Sequence, residues 1–355
     1  MTESAPNQRT RTVMVGGVPV GGGSPVAVQS MLCAPEDDAG ANIEQACRLA
    51  EAGCEIARMA VPRRESLAVF SKVCDASPIP IVADIHFDAK CAIEAAWRGA
   101  SALRINPGNI GGLSETDLVI AAARGADIPI RIGVNAGSLQ QDIAARTDLT
   151  LPEKLARSAV EYVRHFEDVK GFKNIVVSAK AHDVMTTVKT YRLLAKEIPE
   201  VPLHIGVTEA GTALQGTVKS SAGLGMLLAE GIGDTLRMSL TDDPVLEVRA
   251  AWALLSALGI RQRTPEIVSC PTCGRCKVDL ISIANEVEER LRTVEKPIRV
   301  AVMGCVVNGP GEARDAHVGV ACGEGQGAVF AHGRIVRKVE EGKIIDALMK
   351  EIESL

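Results

Sequence analysis

A regular alternation that begins at residue 26 constrains this chain more than any other feature. Short runs rich in Val and Ile alternate with longer segments whose apolar residues recur at helical spacing. The strand-like runs are 26–31, 54–60, 79–85, 102–105, 128–134, 174–178, 203–207 and 235–240. The helix-like segments between and after them are 43–52, 65–74, 90–99, 114–124, 152–166, 183–197, 218–230 and 244–258. Ser114 ahead of Glu115, and Thr150-Leu-Pro152 at the fifth segment, are helix start signals. Strict alternation gives a parallel sheet, and eight repeats close a (β/α)8 TIM barrel. An open doubly wound sheet is the alternative, because a strand count read from sequence shifts easily by one. Residues 13–18 and the turn at 21–23 read as a hairpin plugging the barrel bottom.

Apolar residues make up 46% of the chain, yet only five Phe, two Trp and two Tyr are present. A core of Ala, Val, Ile and Leu suits packed α/β layers better than an aromatic β-sandwich. Around 262–265 the alternation stops at a polar, Pro-containing link. Residues 1–261 are therefore expected to form the barrel and 262–355 a small α+β domain. That domain contains a helix at 278–291, strands at 298–303, 318–321 and 328–330, and a closing helix at 343–355. A bound metal would usefully supplement so small a core.

The net charge of −5 argues against sequence-independent nucleic-acid binding, since there is no cationic excess to release counterions. The first residues lack the apolar core of a signal peptide, and no apolar run reaches membrane-spanning length. The expectation is a cytoplasmic protein with no membrane partner, whose ten cysteines are metal ligands and buried thiols rather than disulfides.

Catalytic groups of a barrel project from the C-terminal ends of its strands. Those ends carry Arg58, Asp84 and His86, Arg104 and Asn106, Arg131 and Asn135, Ser178 and Lys180, Thr208 and Glu209, and Arg237 and Ser239. Five strands thus each contribute one cation to a single mouth. Any one Arg could be a rim salt bridge, but five converging cations would repel one another without an anionic ligand. The expected ligand is a small molecule with several negative charges, most simply two phosphates. Glu209 is the acid/base candidate, with a counter-ion role as the plainer reading. His204, within an apolar strand, reads as a core histidine, and Cys33, Cys47, Cys54, Cys74 and Cys91 read as core packing.

Two Gly/Pro-rich turns gather the remaining chemistry. One is Cys270-Pro-Thr-Cys273-Gly-Arg-Cys276, the other Met303-Gly-Cys305-Val-Val-Asn-Gly-Pro-Gly-Glu312. A zinc ribbon supplies two CxxC pairs, and the second turn has a single thiol. A four-thiolate zinc knot from Cys270, Cys273, Cys276 and Cys305 stays open beside an iron–sulfur cluster, which the CxxCxxC run and the remote cysteine near Pro310 favour.

These two turns, with Val28-Gln-Ser-Met31 and His204-Ile-Gly-Val-Thr-Glu209-Ala-Gly211, resemble the 4-hydroxy-3-methylbut-2-enyl diphosphate synthases of the methylerythritol phosphate pathway. The resemblance spans essentially the whole chain. It implies a barrel plus an iron–sulfur domain related to that of sulfite and nitrite reductases. The implied reaction is reductive opening of 2-C-methyl-D-erythritol 2,4-cyclodiphosphate with loss of water. Flavodoxin or ferredoxin would supply the electrons. It also implies a [4Fe-4S] cluster held by Cys270, Cys273, Cys305 and Glu312, with Cys276 outside the ligand set. Arg58, His86, Arg104, Arg131, Asn135, Lys180, Arg237 and Ser239 become substrate binders and Glu209 the proton donor. A head-to-tail homodimer, each cluster domain capping its partner's barrel, is part of the same resemblance. The chain departs from the family pattern after Met31, where Leu-Cys-Ala-Pro replaces a Thr/Asn-rich stretch.

Overall fold

In the computed structural model, which describes residues 9–305 and 315–355, the Val/Ile-rich runs pair in parallel. An antiparallel hairpin of β1 (Val13–Val15) and β2 (Val18–Val20) comes first. There follow β3 (Ala27–Met31), β4 (Ile56–Ala60), β5 (Ile81–Ile85), β6 (Ala102–Ile105), β7 (Ile130–Asn135), β8 (Ile175–Lys180), β9 (His204–Ile205) and β10 (Thr235–Leu236). Their order across the sheet is β8-β7-β6-β5-β4-β3-β10-β9, and a parallel bridge between Val177 and Leu203 joins its two ends. The sheet is therefore a nearly closed (β/α)8 barrel, not an open sheet.

Side chains alternate between the two faces of each strand, and this period decides what lines the barrel. At the bottom, Val13, Val15 and Val20 of the hairpin pack against Ala27, Ile56, Val82, Ala102 and Val176. Two residues further along β4, β5 and β6 the inward positions become Arg58, Asp84 and Arg104. The register sets Asp84 beside Arg104 and Arg104 beside Arg131. Outward positions such as Leu103, Ile132 and Val177 meet helix residues including Phe70, Leu155 and Tyr191 in one large core.

Helix starts follow local chemistry. Thr150 and Glu153 form a reciprocal capping box on the helix Leu151–Arg164, and Asp183 and Asp243 cap later helices through their carboxylates. Several expected starts move. The first helix opens at Ala39 instead of 43, capped by the Asp38 carboxylate. The fourth helix opens at Leu113 behind Gly112, whose φ of 90° ends the preceding loop, so Ser114 lies inside the first turn. The seventh opens at Ala213 instead of 218, because exposed Leu214 interrupts the apolar period that would have marked the earlier turn. Cys33 is exposed, not core, and its backbone N–H and Sγ both engage the Gln45 amide.

The chain divides into two compact units, Met1–Arg261 and Gln262–Leu355. The second holds a sheet in the order β11 (Glu266–Ser269), β12 (Arg299–Met303), β13 (Val318–Gly323), β14 (Gln326–Ala331) and β15 (Arg334–Glu340). The first three are parallel and the last two antiparallel additions. The helices Leu280–Leu291 and Ile344–Ser354 cover one face, packing Val287 and Leu348 on Val300, Val302, Val318 and Val320. Sequence periodicity misses β11 and β15. The first is four residues long, and the second is exposed along nearly its whole length, so neither carries a buried alternation. Among the described residues no helix is long and apolar enough to cross a membrane.

Candidate active site

The polar layer above the barrel's apolar floor brings the five expected cations together around two buried carboxylates. Asp84, 2% exposed, takes Arg104 Nη1 at 3.0 Å and Arg58 Nε at 3.3 Å, with His86 Nε2 3.5 Å away. Burial alone would raise the Asp84 pKa. The field of Arg58, then the His86 hydrogen bond and Arg104, reverse that and hold it well below the usual carboxylate range. Glu247, also 2% exposed, faces Arg237 through two parallel contacts, Nε to Oε2 at 3.1 Å and Nη2 to Oε1 at 3.0 Å.

The other cations are less well matched. Arg131 spends Nη1 on Gln29 Oε1 at 3.0 Å, while its buried Nε and Nη2 have no hydrogen-bond partner among the described residues. Burial, then repulsion from Arg58 and Arg104, pushes Arg131 well below its ordinary pKa. Lys180 Nζ stands 3.1 Å from His204 Nε2. Burial, then Arg131 and the other guanidiniums, presses Lys180 well below its usual value, and burial with Lys180 keeps His204 neutral. Arg58 falls to about 10, burial and its cationic neighbours outweighing the pull of Asp84.

Counted by formal charge, the five basic side chains exceed these two carboxylates by three among the described residues. At an effective dielectric of about 20, like charges roughly 6 Å apart repel by about 3 kcal/mol. A shared polyanion offsets those repulsions with an attraction to each cation, and the unpartnered Arg131 nitrogens supply ready donors for it.

Asn135 ends β7, and Ser239 follows β10; both are half-buried. His86 is 41% exposed on the loop after β5. Glu209 is exposed, and its φ of 53° puts it in the left-handed region, an unusual conformation for a residue with a side chain that often marks a functional position. Asn106 and Ser178 are buried; Asn106 is occupied with Ser138 Oγ and the Gly108 N–H.

Sequence reading missed Glu247, Gln29 and Met31. Gln29 and Met31 carried a signal, because period 2 along 27–31 points both to the same face as the floor residue Ala27. Met31 Sδ lies 2.9 Å from Arg58 Nη2 and 3.6 Å from Arg237 Nη1. Glu247, on the first turns of a helix, carried none.

In the second unit, parallel pairing of β11 with β12 sets Cys270 and the Gly304–Cys305 turn at adjacent strand ends. The Gly304 N–H donates to Cys270 Sγ at 3.3 Å. Hydrogen bonds from the Arg275 backbone, then its side chain, lower the Cys273 pKa. Amides and a guanidinium aimed at sulfur favour thiolates, the form in which cysteine binds metal. Cys276 differs: its Sγ donates to Val278 O at 3.3 Å, and it packs so close to Gly304 that a Cβ there would lie 2.7 Å from the sulfur. Glu312 lies outside the described residues. Among those residues no three His, Cys, Asp or Glu side chains already converge as a metal-holding group.

Fold and site together define a (β/α)8-barrel protein whose electropositive mouth suits a small polyanion, with a second, thiol-bearing α+β unit. Residues 10–252 match the GcpE TIM-barrel domain and residues 266–354 the GcpE protein C-terminal domain. The chain belongs to the GcpE family. It is 52% identical to the 4-hydroxy-3-methylbut-2-en-1-yl diphosphate synthase (flavodoxin) of Geobacter sulfurreducens, over 98% of each chain. It is 51% identical to the protein of that name from Clostridium acetobutylicum, over 98% of this chain and 99% of that one. Among solved structures, dihydropteroate synthase from Xanthomonas albilineans is similar with a TM-score of 0.50 and 14% identity. That match covers 71% of this chain and 97% of the other, and it is a likeness of fold alone.

Proposed function

We propose that this chain catalyses the reductive ring opening and dehydration of 2-C-methyl-D-erythritol 2,4-cyclodiphosphate to (E)-4-hydroxy-3-methylbut-2-enyl diphosphate. The observation that carries this reading is the full-length identity of 52% to a relative named for forming that product. The charge surplus of the barrel mouth supports it, because a cyclic diphosphate is a compact polyanion.

In this reading Arg58, Arg104, Arg131, Lys180 and Arg237 bind the diphosphate, with His86, Asn135 and Ser239 beside them. Their fixed charges stabilise the negative charge released onto the diphosphate as its bond to C2 breaks. Binding also raises the low proton affinity of Lys180, since an anion offsets the burial and repulsion acting on it. Glu209 holds a proton for the departing C3 hydroxyl, which leaves as water. Two electrons come from flavodoxin, the donor named in the relatives, or from a ferredoxin.

The thiol turns suit a [4Fe-4S] cluster held by Cys270, Cys273, Cys305 and Glu312. The amide on Cys270 Sγ and the lowered Cys273 pKa fit thiolate ligation, while Cys276 is engaged elsewhere. Such a cluster supplies one-electron transfer to the substrate. The reading extends to a cytoplasmic homodimer. Metal and acid-labile sulfide analysis of the anaerobically purified chain tests the cofactor: iron and sulfide in equal amounts support it, and a colourless zinc protein without sulfide overturns it.

A further inference from the structure

Glu247 uses each carboxylate oxygen twice. Oε1 accepts Arg237 Nη2 and the Leu240 N–H, both at 3.0 Å. Oε2 accepts Arg237 Nε at 3.1 Å and Ser30 Oγ at 2.9 Å. One edge of the Arg237 guanidinium is thereby spent. The remaining nitrogen, Nη1, faces Met31 Sδ, which Arg58 Nη2 approaches from another strand. A thioether is a weak acceptor, so it spaces the two guanidiniums without neutralising either.

We propose that Glu247 is a positioning residue for anion recognition: it fixes Arg237 so that Nη1, together with Arg58 Nη2 across Met31, forms a two-pronged donor for one phosphoryl group of the ligand. The inference rests on the polyanion reading of the mouth. Net charge alone argues the opposite way, because a carboxylate beside a binding cation lowers the potential an anion feels. Glu247 aids binding only if orienting Arg237 outweighs that cost, and the sign of its effect on anion affinity therefore separates the two roles.

Calorimetric titration of the full chain with inorganic pyrophosphate compares wild type with Glu247→Gln, Arg237→Gln and the double variant. Positioning predicts that Glu247→Gln weakens pyrophosphate about tenfold although it adds positive charge, as expected when a bidentate Arg–carboxylate geometry is lost. The double variant should bind no more weakly than Arg237→Gln alone, since the two residues act as one unit. Unchanged or tighter binding by Glu247→Gln, or additive losses, overturns the proposal. If Glu247→Gln gives no cooperative melt, Ser30→Ala replaces it. That variant leaves the charge in place, and it should weaken pyrophosphate a few-fold; unchanged affinity overturns the proposal equally. If wild type fails to bind pyrophosphate, or Arg237→Gln binds it normally, the polyanion reading falls and the proposal with it. A loss in Arg237→Gln with none in Glu247→Gln removes the positioning role alone.

Discussion

Gly133 on β7 leaves the space that Arg104 on β6 occupies: a Cβ on Gly133 would stand 2.5 Å from Arg104 Nε and 2.8 Å from Nη2. The three atoms nearest that position all belong to the Arg104 guanidinium, so the absence of a side chain on Gly133 makes room for it.

Gly133→Ala should therefore push Arg104 away from Asp84 and His86 while leaving the barrel folded. We expect roughly tenfold weaker pyrophosphate binding, about 1.4 kcal/mol, with an overpacking cost of about 1–3 kcal/mol in urea unfolding. Wild-type affinity in this variant would mean that Arg104 does not contact the anion.

Asp84 is held below its usual pKa of 3.8. A carboxylate with a depressed folded pKa contributes stability in full above the unfolded value and loses it as pH falls through the folded one. Asp84→Asn leaves Arg58 and Arg104 uncompensated, and breaking a buried pair of this kind costs about 3–5 kcal/mol. Urea unfolding should show the gap between wild type and variant constant from about pH 7 to about pH 4 and shrinking from about pH 4 to about pH 2, where the unfolded carboxylate takes up its proton while the folded one stays ionised. A gap that stays constant would mean that the carboxylate charge is not what matters.

Much of this layer is legible in the sequence, and the reason is physical. Arg58, Arg104, Arg131, Lys180 and Arg237 each sit on or just after a strand whose Val/Ile runs fix its position, and period 2 then fixes the face. What stays hidden is pairing at long range. Nothing local says that Asp84 bridges two strands, or that Glu247 reaches back to Arg237 and to Ser30, 217 residues earlier. Cys33 was misread because an apolar run continuing past Met31 hides the loop that exposes it. β9 and β10 are two residues each where longer strands were expected, and Gly206 just past β9 leaves its side-chain space to Lys180, whose Nζ would stand 2.7 Å from a Cβ there.

Glu209→Gln keeps the size of the side chain and removes its proton-donating acid. We expect unchanged pyrophosphate affinity and thermal stability with turnover lowered about 10²–10⁴-fold, the usual span for a general acid. Steady-state turnover with a chemical reductant under nitrogen reads this; near-normal turnover would remove Glu209 from the chemistry.

The thiols should separate into two groups. Serine at Cys270, Cys273 or Cys305 is expected to abolish bound iron and sulfide, whereas Cys276→Ser should retain both, because the Cys276 thiol is committed to Val278 O. Loss of iron in Cys276→Ser, with retention in Cys305→Ser, would reverse the assignment.

Anaerobic turnover of 2-C-methyl-D-erythritol 2,4-cyclodiphosphate by the iron-loaded chain, with a chemical reductant and identification of the product by NMR, tests the central claim most directly. The account predicts (E)-4-hydroxy-3-methylbut-2-enyl diphosphate formed with consumption of two electrons per molecule. Recovery of unchanged cyclic diphosphate from a reduced, iron-replete enzyme would contradict it.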